Sequence, residues 1–504
     1  MSAFAAQILV RLDAHAPESL QAQLCAGLRK AIRGGVLRPG NRLPSSRALA
    51  ADLRISRTTA VLAYDQLIAE GVLATRAGSG TFVASVPGER WSLPASGRRT
   101  AAHPSLSRRG AVLAAMPSIA WKLGAGPRPF RLGTPALDLL PLHAWTRIAT
   151  RRLKGITLAQ LDYRDPAGEL PLRSAIAEHV RRVRGAVCTA DQVIVVAGAQ
   201  HGLEVICRLL LDPGEAAWLE EPGYTGARAA LAGAGARIVP VPVDGDGLDV
   251  AAGIRRAGKA RLAYVTPSHQ FPLGVPMTLP RRLALLAWAR RARAWIVEDD
   301  YDCGFHYGSR AMPCLQGLDT DGRVIYVGTF SKTLFPALRL GYVIVPTDLA
   351  HPMATARGAS GFHPPVLDQG VLADLMDAGT FERHLRRMRR EYGRRLAALT
   401  EAAARHGRGL FTLRPVTTGL HAIADLHGVD DQAAFREALA HGVEVMPVSS
   451  YYVDGRRATR RSLVLGFGSV RPELLDAGMA QLAAAVRAAR RGQPLGYTPR
   501  LPSR

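Results

Sequence analysis

Apolar residues near the amino terminus of the chain follow a helical period. One stripe repeats every four residues and stops at Gly34 and Gly35, which predicts a first helix. The residues of this stripe are Leu20, Leu24, Leu28 and Ile32.

Serines mark where the next helices begin. Ser45 or Ser46 can cap a second helix that runs through Leu53, and Ser56 can cap a third that runs to Glu70. The following segment, GVLATRAGSGTFV, alternates apolar residues around a glycine-rich tip and predicts a β-hairpin. Three helices and a hairpin are typical of a winged helix. The apolar face of the third helix, expected to face the core, contains Val61, Leu62, Tyr64 and Leu67.

Beyond residue 126 the pattern changes to short, nearly continuous apolar runs separated by helical stretches such as 279–291. Such runs predict strands that are buried on both faces. Their alternation with helices favours an α/β domain with a mostly parallel sheet. The strands are expected at 193–197, 216–220, 237–241, 261–266, 294–298, 324–328 and 340–345.

The carboxyl-terminal pattern differs again. From about Pro364 a long arginine-rich amphipathic helix is followed by strands near 420–425 and 462–467, which predicts a smaller α+β lobe. The stretch around SVPGERWSLPASGRRTAAHPSLSRRG has no apolar period and is typical of a linker. We therefore expect a winged helix at 1–83, a flexible linker at 84–125, a large domain at 126–490 and a tail at 491–504.

Charge and cysteine content narrow the class of protein. The 504 residues contain 65 Lys plus Arg against 41 Asp plus Glu, a net charge of +24, which favours a polyanion or an anionic cofactor as partner. Five scattered cysteines without a C-x-x-C pair indicate neither a disulfide framework nor a zinc site, so no metal is expected. No segment has the composition of a membrane span or a signal peptide, which predicts a cytoplasmic protein.

The third helix opens with residues suited to reading DNA. Arg57, Thr58 and Thr59 form its first turn, the end of a recognition helix that enters the major groove. Arg47, at the start of the second helix, and Arg76, on an exposed turn, are placed to hold phosphates. The alternative is that this piece only packs on the larger domain and that Arg57 is a solvated charge.

The segment LRPGNRLPSSRALAADLRISRTTAVLAYDQLIAEGVLATRAGSGTFVA closely resembles the winged-helix domain of the GntR family of bacterial transcription regulators. The resemblance implies that double-stranded DNA is contacted by Arg47, Arg57, the Thr58 and Thr59 region, and the wing tip at Gly78. Val61 stands where some members direct an arginine to the bases. Because valine cannot make a bidentate contact to guanine, the operator sequence does not transfer.

In the large domain, VIYVGTFSKTLFPALRLGYVIV places Lys332 after a buried strand. A lysine serves an aldehyde cofactor when its amine can be neutral, which burial and neighbouring positive charge promote. Thr329, Ser331 and Arg339 supply hydroxyls and a cation for a phosphate nearby. Taken alone, Lys332 is equally explained as a surface lysine.

The segment AWIVEDDYDCGF ends an apolar strand in acids, at the edge of the sheet where ligands of open α/β folds bind. A carboxylate there can hold a pyridine nitrogen protonated, and a phenol two residues later can reach the ring oxygen. We assign these roles to Asp299 and Tyr301. The other explanation is a solvated strand end.

Further candidates follow other predicted strands. The backbone amides of Ala199 and Gln200 open a helix and can bind phosphate, although a glycine turn before a helix is a weak signal. Tyr224 can stack on a flat cofactor, but ordinary packing explains such a tyrosine more often. Either His269 or Gln270, in VTPSHQFPLG, can bond the ring hydroxyl, and His269 is equally explained as a satisfied loop residue.

The order of these segments resembles the fold-type I aminotransferase family of pyridoxal 5'-phosphate (PLP) proteins, over roughly 126–490. With the amino-terminal module, the whole chain resembles the MocR subfamily of GntR regulators, through EEPGY, TPSHQFPLG, EDDYDCGF and GTFSKTLFPALRLGY. The resemblance implies that Lys332 forms the Schiff base and that the other candidates surround the cofactor. These are Asp299, Tyr301, Tyr224, Ala199, Gln200, His269, Thr329, Ser331 and Arg339.

One departure concerns the ligand. Aminotransferases bind the substrate carboxylate through an arginine near the carboxyl end, and here the corresponding place in RRSLVLGFG is apolar, at Val464. Arg461, a turn of strand away from that place, is the remaining candidate for binding an effector. The identity of the effector is therefore open.

These features favour a transcription regulator in which a PLP aldimine in the aminotransferase-like domain senses an amine, an amino acid or PLP itself and modulates operator binding. The resemblance also implies a head-to-tail homodimer. The main alternative is an active PLP-dependent aminotransferase that carries a DNA-binding domain. A second alternative is a regulator that senses only the vitamin cofactor.

Overall fold

The computed structural model describes residues 12–14, 16–84, 106–116, 128–302, 304–307, 312–455 and 458–492. The chain forms two compact units, Met1–Ser105 and Leu106–Arg504. Most of the predicted linker and nearly all of the predicted tail lie outside the described residues. The finer boundaries of the four expected parts therefore remain predictions.

The first unit contains the three helices and the hairpin that the sequence predicts. Serine side chains cap all three helices, and Ser45, not Ser46, caps the second by accepting from Ala48 N. In the antiparallel hairpin Leu73 lies opposite Val83. The elements are α1 (Leu20–Arg33), α2 (Ser46–Leu53), α3 (Arg57–Ala69), β1 (Leu73–Arg76) and β2 (Gly80–Val83).

One prediction for α3 is wrong. Leu62 was expected to face the core, but it is 47% exposed. Successive residues of a helix are rotated by about 100° around its axis, so one face is formed by residues three and four positions apart. Leu62 is not at this spacing from any residue that α3 buries, and it therefore lies off the buried face. The residues that α3 buries are Ala60, Ala63, Tyr64 and Leu67.

The second unit is built around an eight-stranded sheet, and each of its seven predicted strands is present. The strand order is β3-β10-β9-β8-β7-β4-β5-β6. The neighbours from β5 to β9 in the middle of the sheet run parallel, whereas β10 is antiparallel to both β3 and β9. The strands are β3 (Val193–Val196), β4 (Ala216–Glu221), β5 (Arg237–Asp244), β6 (Gly247–Leu248), β7 (Leu262–Val265), β8 (Trp295–Asp300), β9 (Val324–Thr329) and β10 (Gly341–Ile344).

Helices accompany this sheet, and apolar clusters fill the space on its two faces. A short helix, α4, lies inside the segment that the sequence indicates as linker, and Leu113 of α4 packs near Gly233. The helices up to the last strand of the sheet are α4 (Arg108–Ala114), α5 (Leu142–Lys154), α6 (Leu158–Leu161), α7 (Leu170–Arg184), α8 (Ala199–Leu210), α9 (Thr225–Ala234), α10 (Val250–Ala257) and α11 (Leu279–Ala292).

The predicted smaller lobe follows, with a four-stranded antiparallel sheet of order β11-β12-β14-β13. Among the described helices, none is long and apolar enough to cross a membrane. The lobe and the helices leading to it comprise α12 (Thr347–Ala359), α13 (Val366–Asp377), α14 (Thr380–His406), β11 (Phe411–Leu413), β12 (His421–Leu426), α15 (Asp431–Ala440), β13 (Met446–Pro447), β14 (Ser462–Gly466) and α16 (Pro472–Arg491).

Candidate functional site

The acids that end β8 point to different partners, because successive side chains of a strand alternate between its faces. Asp300 pairs with Arg184 at 2.7 Å and accepts from the Tyr326 hydroxyl, which makes it a buried structural anion. Asp299 accepts from the Tyr264 hydroxyl through Oδ2 at 2.7 Å. Its Oδ1 is buried and has no hydrogen-bond partner among the described residues. Asp299 is therefore the acid of this pair with a free acceptor.

Lys332 follows β9, as predicted, and its Nζ donates to the carbonyl oxygen of Gly133 at 2.7 Å. Burial lowers the pKa of Lys332, while the carboxylates of Asp302 and Asp299 oppose that shift. The expected effect of burial is confirmed. The sequence also predicted positively charged neighbours for this amine, and that prediction is wrong. The charges that act on the amine are the negative ones of Asp302 and Asp299, at the strand end that faces it.

Arg339 and the first residues of α8, all predicted to bind phosphate, lie next to one another. Gly198 has φ +85°, and its Cα hydrogen faces the Arg339 guanidinium, so that a Cβ there would come within 3.3 Å of Cζ. Arg339 is exposed and donates to the Ala197 carbonyl at 3.1 Å. Ala199 begins the helix, whose first amides have no intrahelical partner. A guanidinium beside free amides forms a cradle for an anion.

The hydroxyl pair of the lysine loop lies at the end of β9. Thr329 ends that strand, and its Oγ1 accepts from the Ser331 amide at 3.2 Å. This contact orders the turn between the strand and Lys332. It leaves the Thr329 hydroxyl hydrogen available for a ligand.

Tyr224 precedes α9, and its ring lies over Gly226, where a Cβ would overlap it. Burial and the charge of Asp299 raise the pKa of Tyr224 to about 12, against the influence of Arg339. Gln200 turns its side chain to Gly226, donating to that carbonyl at 3.1 Å. Its Oε1 is buried and lacks a partner among the described residues.

The structure separates the two candidates of the TPSHQFPLG loop. Gln270 is committed to the fold, since its Nε2 faces Glu220 and the Pro222 and Phe271 carbonyls. His269 lies beside the Tyr301 hydroxyl, with 3.1 Å between Oη and Nδ1. The Tyr301 hydroxyl is also 2.9 Å from the His269 carbonyl. Of the two loop residues, His269 is the one next to the predicted ring contact.

Val464, predicted to stand at the place of the aminotransferase arginine, lies in the last strand of the small sheet. Val464, in β14, is fully buried in a cluster with Ile423, Val448 and Tyr451. The guanidinium of Arg461 lies 3.4 Å from the Asp430 carboxylate and donates to the Ala458 carbonyl. Its role as an effector contact remains a prediction.

Sequence reasoning missed three residues of this site. Tyr264 lies within a fully buried strand and resembles ordinary core, so only tertiary structure reveals its bond to Asp299. Asp302 and His421 lie close to His269: one carboxylate oxygen of Asp302 and one ring nitrogen of each histidine lie within 4.8 Å of one another. The motif EDDYD contained a signal for Asp302, whereas His421 belongs to a different sheet.

In the first unit, the predicted DNA-contacting residues lie mostly on the surface. Arg47, Arg57 and Thr58 are exposed, and no described carboxylate pairs with either arginine. Thr59 is half-buried, and its hydroxyl bonds to the capping Ser56 at 2.8 Å. On the wing, the exposed Arg76 stacks over the Phe82 ring at 4.9 Å, and Gly78 at the tip has φ +73°.

The residues present fit a PLP group. An unpartnered buried carboxylate oxygen on Asp299 suits a protonated ring nitrogen, because an unpaired buried acceptor is costly until a donor arrives. The Gly198 and Arg339 cradle suits a phosphate, and the amine of Lys332, whose pKa is lowered by burial, suits an aldehyde. These three chemistries match the three polar parts of the cofactor.

The Asp299 oxygen that has no partner among the described residues predicts a pH-dependent weakness of the cofactor-free protein. Burial raises the pKa of Asp299 from 3.8 to about 7, so folding loses free energy as the pH rises through this window. We expect Asp299→Asn, which keeps the acceptor for Tyr264, to raise the melting temperature. The gain should grow from pH 4 to pH 7 and stay constant above, as measured by calorimetry on apo protein. A gain independent of pH would contradict this origin.

Fold and site together define a class of protein, a winged-helix DNA-binding module joined to an aminotransferase-like domain. Residues 20–83 match the bacterial regulatory proteins of the gntR family, and residues 130–464 match aminotransferase class I and II. The chain belongs to the GntR-type transcription regulators of the MocR group, which combine these two domains.

Two similar regulators cover nearly the whole chain. It is 38% identical to the probable rhizopine catabolism regulatory protein MocR of Rhizobium meliloti, over 94% of this chain and 95% of that protein. It is 33% identical to the pyridoxine biosynthesis transcriptional regulator PdxR of Corynebacterium glutamicum, over 95% of this chain and 99% of that protein.

The large domain is also similar to solved aminotransferases. One is LysN, the alpha-aminoadipate aminotransferase of Thermus thermophilus, complexed with N-(5'-phosphopyridoxyl)-L-leucine. The TM-score is 0.66 at 27% identity, covering 72% of this chain and 92% of LysN. That structure shows a phosphopyridoxyl group held by this fold.

Proposed function

We propose that this protein is a PLP-dependent transcription regulator whose aminotransferase-like domain binds the cofactor at Lys332 and senses an amine. The observation that carries the proposal is the buried carboxylate oxygen of Asp299, which has no hydrogen-bond partner among the described residues. Asp299 lies in β8, next to β9, the parallel strand that Lys332 follows. A buried acceptor without a donor destabilises the cofactor-free fold, and a ligand that supplies the donor explains why the acceptor is there.

Each part of the site has a role toward the cofactor. Asp299 holds the ring nitrogen, Tyr301 bonds the ring oxygen and Tyr224 stacks on the ring. The phosphate is held by the backbone amides of Ala199 and Gln200 together with Thr329, Ser331 and Arg339. When bound, PLP supplies an aldehyde that combines reversibly with amines. Burial lowers the pKa of the Lys332 amine, which favours the neutral form that combines with that aldehyde.

Regulation requires that the ligand bind two arrangements of the protein with different affinity, since equal affinity shifts no equilibrium. We infer that an effector amine competes with Lys332 for the cofactor and thereby biases DNA binding by the winged helix. A homodimer with a head-to-tail arrangement presents two such modules to the two half-sites of an operator.

The buried Val464 argues against ordinary amino-acid turnover as the main activity. An apolar side chain within a cluster of aliphatic and aromatic residues cannot pair with a carboxylate. Steady-state kinetics with common amino-acid donors therefore should show no multiple-turnover transfer. Sustained turnover would instead favour the active aminotransferase.

A mobility-shift assay on the protein's own upstream region tests the proposal. We expect PLP together with one member of an amine panel to change the operator affinity several-fold relative to PLP alone, at a fixed salt concentration. The control is the same panel without PLP, which should have no effect. A change caused by PLP alone, with no response to amines, would replace amine sensing by vitamin sensing. No response to either would overturn both.

A further inference from the structure

The imidazole ring of His269 is clamped by backbone on two sides. Gly274 has φ +74°, and a Cβ there would lie 3.1 Å from Nε2 of His269. Gly419 has φ +84°, and a Cβ there would overlap the imidazole ring and come within 2.7 Å of Asp302 Oδ2. Only glycine combines this backbone conformation with so close an approach. The fold therefore fixes the orientation of the His269 ring.

This orientation brings Nδ1 of His269 to two oxygens. It lies 3.1 Å from the Tyr301 hydroxyl and 3.6 Å from Asp302 Oδ2. The same carboxylate oxygen accepts from Leu420 N at 3.2 Å, which holds it beside the ring. Asp302 and His269 are only 3% and 4% exposed, so water does not screen their interaction.

The two oxygens decide which nitrogen carries the proton. Burial by itself raises the pKa of Asp302, yet the neighbouring ring of His269, together with His421 and Lys332, brings it below its ordinary value. A carboxylate beside Nδ1 favours a proton on that nitrogen, because a lone pair there would face an anion. The Tyr301 hydroxyl can donate its own hydrogen to the His269 carbonyl at 2.9 Å. Its oxygen then accepts from Nδ1.

We propose that His269, its tautomer set by Asp302, is a positioning residue that acts through Tyr301 on the ring oxygen of bound PLP. A phenol that accepts a hydrogen bond becomes a stronger donor, because bonds in a chain polarise one another. When PLP is present, the Tyr301 hydrogen turns from the His269 carbonyl to the ring oxygen. This inference rests on the proposed function and assigns His269 a role that involves no direct cofactor contact.

Other charged groups surround this chain of three. Burial lowers the pKa of His421 to about 3, so that ring stays neutral while it donates to the Pro272 carbonyl. The groups that face His269, Asp302 or Tyr301 electrostatically are His421, His306, Lys332, Asp299, Asp300 and Glu220.

The test follows the visible absorbance of the full, PLP-loaded protein against pH. A hydrogen-bond donor at the PLP ring oxygen withdraws negative charge from that oxygen. The oxygen helps to hold the proton whose loss changes the absorbance, so a stronger donor lets this proton leave at lower pH. A weaker donor therefore raises the pH midpoint of the absorbance change. We expect His269→Leu to raise the midpoint by about 0.5 pH unit. His269→Asn should recover at least half of that shift, because its amide nitrogen can occupy the place of Nδ1.

Double variants show whether His269 acts through Tyr301. In a Tyr301→Phe background, His269→Leu should cause no further shift of the midpoint, whereas independent effects would add. His179→Asn, which changes another buried histidine of the same domain, one that bonds to Glu382, is the matched control and should keep the midpoint of the parent protein.

The outcomes separate this inference from the proposed function. If the parent protein binds no borohydride-reducible pyridoxyl group, the proposed function fails. If it does bind one, the inference fails in any of three cases: His269→Leu keeps the parent midpoint, His269→Asn shifts it as far as Leu does, or the shift persists in the Tyr301→Phe background. Where His269→Leu does not load PLP, His269→Ala takes its place, alone and in the Tyr301→Phe background, with the same three outcomes.

Discussion

Lys332→Ala is expected to abolish the visible absorbance that develops when the protein is incubated with PLP. The side-chain amine is the group that combines covalently with the aldehyde, and alanine has no amine to replace it. Borohydride reduction followed by peptide mass mapping should find the pyridoxyl group on the peptide containing residue 332 in the parent protein. The variant should carry none there.

The matched control for this result is Lys259→Ala, which removes an exposed lysine of the same domain. It should keep the absorbance and the adduct at Lys332. A pyridoxyl adduct on Lys259, or visible absorbance that survives in Lys332→Ala, would contradict the assignment. The winged helix should still bind DNA in either variant, because its core is separate from the cofactor residues.

Arg57→Ala is expected to weaken operator binding by about 1–3 kcal/mol, roughly 5- to 150-fold, while the bound cofactor keeps its colour. Arg57 is the first residue of α3, is exposed and pairs with no described carboxylate. Its guanidinium is therefore available to a base edge. Fluorescence anisotropy with operator DNA and with an unrelated duplex measures the specific and nonspecific parts separately.

Arg33→Ala is the matched control, because it removes an exposed arginine from the end of α1 in the same unit. This variant should weaken binding to both duplexes slightly and equally, as the loss of one distant charge does. Equal losses for Arg57→Ala and Arg33→Ala on both duplexes would show that Arg57 is only a solvated charge. That result would restore the alternative in which the module packs without reading DNA.

Local patterns predicted the elements well because they depend on spacing along the chain. Ser56 caps α3 where a serine before a helical stripe predicts it, and the buried strands have continuous apolar runs. The error at Leu62 has the same origin, since an apolar residue was assigned to the core without its angular position on the helix. Sequence spacing gives the period, and only packing shows which residues of the period face inward.

The candidate site was predicted less completely, because its chemistry depends on side chains from distant segments. The sequence offered His269 and Gln270 equally, and Gln270 proved to be committed to Glu220. Tyr264 and His421 gave no sequence signal, since a tyrosine in an apolar strand and a histidine in another sheet resemble ordinary core. Only the packing of the strands against one another brings these two residues to the site.

The sequence by itself determined the two-part organisation, the strands and helices, and the residue types that PLP and DNA require. These are local properties, because helix caps, apolar periods and motifs are written within short segments. Tertiary structure alone decided that one oxygen of Asp299 meets no partner in the described part of the chain while Asp300 pairs with Arg184. It also decided that His269 lies between Tyr301 and Asp302. Free acceptors and shared protons depend on distances between segments far apart in the chain, which spacing along the sequence does not contain.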